Sequence, residues 1–181
     1  MLHFSKISTN GKDFNIVASG ALAFKIHNKI LKDEAFQQGA KVNRNMLLGS
    51  APAKALNKNG RNVFYVILSD LDKMNIEALC HTIAQERTRG SYAVCQVIPA
   101  YYNEPSFKAL KLLRQNFDEV IELNKFNIGT SKALMSAEQQ QCLITDYSLS
   151  MARIMYHVCM NNLSPVMSAP VADEPELAYA S

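Results

Sequence analysis

The chain has 181 residues, 48% of them hydrophobic and 19% charged, with a formal net charge of +3. That length points to one domain large enough to bury a core without disulfide or metal staples, and the composition excludes wholesale disorder, collagen-like repeats and Gly-rich low complexity. No run of about 18 uncharged apolar residues appears, so no membrane-spanning helix is expected.

The first residues, Met1 to Lys6, lack the charged-then-apolar order of a secretory signal, which leads to the expectation of a cytoplasmic protein. Phe14 to Ala18 reads as a short buried strand broken by Ser19-Gly20. A helical pattern follows, with Leu22, Ile26 and Ile30 on one face and Lys25, Lys29 and Lys32 on the other. Between Gln37 and Asn62 only Val42 to Leu48 has strand character, flanked by the turn-rich Gly49-Ser50-Ala51-Pro52 and Asn57-Lys58-Asn59-Gly60. Val63 to Leu68 is a continuous apolar run, the pattern of a strand covered on both faces.

Ser69-Asp70-Leu71-Asp72 reads as the cap of the next helix, whose apolar positions are Ile76, Leu79, Cys80, Ile83 and Ala84. A magnesium-binding carboxylate pair at Asp70 and Asp72 is the alternative, and capping accounts for both residues more simply. Arg89-Gly90-Ser91 closes that helix, and Tyr92 to Ile98 forms a further strand that Pro99 stops. Pro105 opens a helix with Phe107, Leu110, Leu113 and Phe117 on its buried face and Lys108, Lys111 and Arg114 outside. Glu119 to Leu123 is the next strand.

Strands separated by helical crossovers must pair in parallel, so the expected fold is α/β: a three-layer, Rossmann-like, mostly parallel sheet with helices on both faces. A long C-terminal helix completes it. Ser136-Ala137-Glu138-Gln139 fits a capping box, and Ile144, Tyr147, Met151, Ile154 and Val158 form its apolar stripe, widened by Leu143 and Met155. Residues 1–163 make the domain. Residues 164–181 hold three prolines and three acids without a basic group and read as a flexible tail. Setting the tail aside leaves 19 basic against 13 acidic residues, a charge of +6 too dispersed to argue for nucleic acid. Cys80, Cys95, Cys142 and Cys159 show no C-x-x-C pair and no metal-ligand spacing, and each reads as a buried free thiol.

Ligands of an open parallel sheet bind at the carboxyl ends of its strands. Here those ends are Ser19-Gly20, Ser69-Asp70, Pro99 to Glu104 and Asn124, a mixture that suits either a nucleotide pocket or ordinary loops. Neither G-x-x-x-x-G-K-[ST], G-x-G-x-x-G nor a G-x-S-x-G elbow occurs.

In order of elements the chain from Phe14 to Val158 resembles the nucleotide-binding half of the FtsZ/tubulin family. Pro99, Tyr101-Tyr102, Glu104 and Lys108 stand where that family has a proline, an aromatic segment, a glutamate and, four residues on, an arginine. Asn124 follows a strand where the family's asparagine touches guanine nucleotide, and Asp146 lies in the long helix where its aspartate reads the guanine edge. The resemblance places Ser19, Gly20, Ser69, Glu104, Lys108, Asn124 and Asp146 around the nucleotide cleft. It also marks departures. The family's glycine-rich loop falls on Ser69 to Glu77, which has no glycine and carries Asp70 and Asp72, acids that repel phosphate. The first glycine-rich loop is reduced to Gly20, and the family's catalytic loop and second domain have no counterpart after the long helix.

The expectation is a truncated, non-catalytic FtsZ/tubulin-like domain without GTP hydrolysis. It would bind a protein partner, an FtsZ-like filament component or other cell-division protein, and could cap a filament end. No catalytic residue and no cofactor is expected beyond a weakly held guanine nucleotide; nucleic acid and membrane are not expected partners. The alternatives are a nucleotide sensor or enzyme on a generic Rossmann-like sheet, and a structural subunit self-associating through the long helix.

Overall fold

Two kinds of strand sequence build the sheet. Val63-Phe64-Tyr65-Val66-Ile67-Leu68 and Tyr92-Ala93-Val94-Cys95-Gln96-Val97 are nearly unbroken apolar runs, as strands covered on both faces require. The computed structural model describes residues 2–9, 12–37, 41–47, 62–71, 75–98, 103–123 and 136–161. In chain order they form β1 (Leu2–Thr9), β2 (Lys12–Ser19), α1 (Ala21–Leu31), α2 (Glu34–Gln37), β3 (Lys41–Leu47), β4 (Asn62–Leu68), α3 (Ile76–Thr88), β5 (Tyr92–Val97), α4 (Glu104–Asn116), β6 (Glu119–Glu122) and α5 (Ala137–Asn161).

The sheet order is β3-β1-β2-β4-β5-β6. The β2–β4, β4–β5 and β5–β6 pairs are parallel. β1 runs against both of its neighbours. Helices cover both faces: α1 and α5 pack on one, over Phe14, Ile16, Tyr65, Ile67 and Val94. On the other, α3 and α4 pack over Val17, Phe64, Val66, Cys95 and Val97. The α/β class and its long final helix are as the sequence predicts. The antiparallel β1 is an addition, because the sequence of residues 2–9 gives no strand signal. Among the described residues, no helix is long and apolar enough to cross a membrane.

Local chemistry explains where the helices begin. Pro105 lies in the first turn of α4, and Asn103 caps it, its side chain accepting from the Ser106 N–H at 2.8 Å. The capping box of α5 is formed in both directions. The Gln139 N–H donates to Ser136 Oγ at 3.2 Å, and the Ser136 N–H donates to Gln139 Oε1 at 3.0 Å.

Four details differ from the sequence reading. The cap of α3 is Asn75, which accepts from the Ala78 N–H at 3.0 Å, so Asp70 lies upstream of the helix; Asp72 lies outside the described residues. Phe107 is 60% exposed, because α4 turns Ser106, Ala109, Leu110 and Leu113 to the core and Phe107 falls one position outside that stripe. Ile154 is 44% exposed for a related reason: α5 buries Ile144, Ser148, Met151, Ala152, Met155 and Cys159 instead. Cys142 is exposed on the first turns of α5, whereas Cys80, Cys95 and Cys159 are buried free thiols.

Candidate functional site

β2 and β4 end in register, Ser19 beside Leu68, so the two loops that follow rise together at the carboxyl edge of the sheet. Gly20 turns the chain from β2 into α1 with φ 102° and ψ 159°, a region that only glycine occupies without strain. Its side-chain-free space is taken. A Cβ on Gly20 would lie 2.3 Å from Ser69 Oγ and 2.9 Å from the Asp70 amide nitrogen. The glycine therefore lets the loop after β4 close over the start of α1.

That loop occupies the position where the positive end of a helix would meet a phosphate. Gly20 supplies no side-chain cap to α1. Ser69 does so from across the cleft, its Oγ accepting from the Ala23 N–H at 3.0 Å. The same hydroxyl faces the Ser19 carbonyl oxygen at 3.4 Å, and the Ser69 N–H donates to that oxygen at 2.9 Å. The hydroxyl oxygen thus satisfies a donor that a phosphate oxygen takes in a glycine-rich loop, and Asp70 follows at once with a carboxylate.

Of the sequence-predicted site residues, Ser19, Gly20 and Ser69 come together here. The others engage elsewhere. Glu104 and Lys108 form an ion pair at 3.0 Å one turn apart on α4, both largely exposed. Asp146 faces Lys29 of α1 at 3.9 Å. Asn124, like Pro99, Tyr101 and Tyr102, lies outside the described residues. Among the described residues, no group of three His, Cys, Asp or Glu side chains is arranged to hold a metal ion.

A surface groove of about 500 Å³ runs between the start of α3 and α4. Leu71, Ile76, Ala109 and Leu112 give it apolar walls, and Lys108 and Lys111 stand among its charged lining residues. Exposed Phe107 projects from the same helix.

Two polar networks escape a sequence reading. At the opposite, amino edge of the sheet, buried Asn62 links β2 to α3: the Asn15 amide donates to Asn62 Oδ1 at 3.2 Å, and the Asn62 amide donates to Glu86 Oε2 at 3.4 Å. Arg89 donates to Glu86 Oε1 at 3.0 Å. Inside the layer under α5, buried Tyr65 donates to Gln96, which donates to Ser148. Burial pushes the Tyr65 phenol well above its usual range, so it stays a neutral donor. The available signal was a polar residue inside an otherwise apolar run: Asn15 between Phe14 and Ile16, and Gln96 between Cys95 and Val97.

No family model, no curated protein and no solved structure matches the chain.

Proposed function

We propose that this chain is a non-catalytic FtsZ/tubulin-like domain that binds a protein partner, a component of a cytoskeletal or cell-division filament. One observation carries the reading: Ser69 Oγ seated on the Ala23 N–H and against Gly20, in the space a phosphate would need. With Asp70 beside it, the carboxyl edge between β2 and β4 is built to hold its own loop rather than a triphosphate. The order of elements and the matches at Pro99, Glu104, Lys108, Asn124 and Asp146 support the family, and the family's habit of assembly supports a protein partner. The groove between α3 and α4, and separately the exposed Phe107 of α4, offer apolar surface for such a contact. The protein is placed in the cytoplasm on the same reading.

Co-sedimentation with the FtsZ-like protein of the same cell tests it. The expected result is that the chain pellets with the polymer or lowers polymer mass when added in stoichiometric amounts. A chain that stays in the supernatant and leaves polymer mass unchanged contradicts the proposal.

A further inference from the structure

The sheet ends in two strands that have a neighbour on one side only, β3 and β6. Among the described residues, nothing pairs with the outer side of either. The bare N–H and C=O groups of such an edge template the pairing of another strand, and charged residues commonly guard against it. Here the two guards have opposite signs. β3 holds Lys41 and Arg44 and no acid, whereas β6 holds Glu119 and Glu122 and no base. In pairing between two copies, like charges resist β3 against β3 and β6 against β6, but not β6 against β3.

Strand direction agrees. β1 runs against both β2 and β3, so β3 points the same way as β2, β4, β5 and β6. A second copy shifted sideways, without being turned over, brings its β3 alongside β6 in the parallel sense that most of the sheet already uses. The exposed apolar side chains stand at the same two borders. Phe24 on α1 lies against His3 of β1, the neighbour of β3, with ring centroids 4.1 Å apart. Phe107 precedes Arg114 by about two turns of α4, and Arg114 pairs with Glu122 of β6. Ile154 lies about two turns along α5 from Tyr147, whose phenol is raised by burial and by the Glu119 carboxylate. Among the described residues no other large apolar side chain is exposed. Glu122 and the adjoining Asp118 have bases in Arg114 and Arg87. Glu119 meets no base among the described residues, and burial pushes its carboxyl above the usual range. We propose that copies of this chain associate head to tail, β6 of one against β3 of the next, in an open, twisted continuation of the sheet. The proposal rests on the sheet edges alone and stands or falls apart from the filament-component reading.

Sedimentation of the intact chain over a range of concentrations tests it. β6 is only 4 residues long, so the contact is weak, with an expected dissociation constant of roughly 100 μM. The expected result is a series of oligomers that grows past the dimer and recedes as salt is added. A chain that stays monomeric to about 1 mM, or that stops at a dimer, overturns the proposal. Two variants distinguish head-to-tail pairing from a symmetric one. Glu119→Lys alters only β6, and the double variant Lys41→Glu, Arg44→Glu alters only β3. Each alone should associate about tenfold more weakly or worse. An equimolar mixture keeps one native β6 and one native β3, and should regain pairing at the native strength. A mixture of the two folded variants that associates no better than either alone overturns the proposal. Should a variant fail to fold, the oligomer series of the native chain decides.

Discussion

Gly20→Val is expected to cost roughly 4 kcal/mol of folding stability, most of what a domain of this size holds in reserve. Two independent penalties add. At φ 102° and ψ 159° a side chain pays backbone strain whatever surrounds it. The first atom of that side chain would also press on Ser69 Oγ at 2.3 Å and on the Asp70 backbone nitrogen at 2.9 Å, and a backbone nitrogen cannot step aside as a flexible side chain can. Gly90 provides the control. It too has a positive φ, 88°, but no atom lies within 4 Å of its would-be Cβ. Gly90→Ala should therefore show strain alone, about 1 kcal/mol. Urea unfolding of both variants separates the two terms. Equal losses at the two sites would mean that the loop after β4 does not press on the start of α1.

Asn62→Ala is expected to destabilise the fold by roughly 3 kcal/mol, although it removes only a small side chain. Asn62 is the link between the Asn15 amide and the Glu86 carboxylate, and all three residues are buried. Without it, Glu86 keeps Arg89 and Ser91 but loses its contact on the sheet side. Glu86→Gln should cost less, about 1 kcal/mol, because it removes the buried charge while keeping an oxygen for its donors. Combining Asn62→Ala with Glu86→Leu should cost at least about 1 kcal/mol less than the sum of the separate losses. Denaturant midpoints of the four proteins check this, and strict additivity would show that the two residues act independently.

These two sites also mark the border of what the sequence discloses. The parallel strands were legible because burial on both faces leaves a continuous apolar run such as Val63 to Leu68. The starts of α4 and α5 were legible because Pro105 and the Ser136/Gln139 box act within one helical turn. β1 was not. Leu2, Phe4 and Ile7 fall on different sides of the strand while Ser5 is fully buried, so no alternation appears. The stripes read from the sequence put Phe107 and Ile154 inside, whereas α4 and α5 turn Ser106 and Ser148 to the core, and Ser148 meets Gln96 on a strand 52 residues away. The site follows the same rule. The absence of glycine between Ser69 and Glu77 is evident from the residues, but what fills the edge there is not. That Ser69 caps α1 through Ala23, 46 residues earlier, depends on β2 and β4 ending side by side.

Titration calorimetry of the purified chain with GTP and GDP in the presence of Mg²⁺ tests most directly whether the edge between β2 and β4 is closed to phosphate. With Ser69 on the Ala23 N–H and Asp70 alongside, no binding heat is predicted up to roughly 1 mM nucleotide. A dissociation constant in the micromolar range would contradict the account, for it would require Ser69 to leave α1 and a triphosphate to take its place.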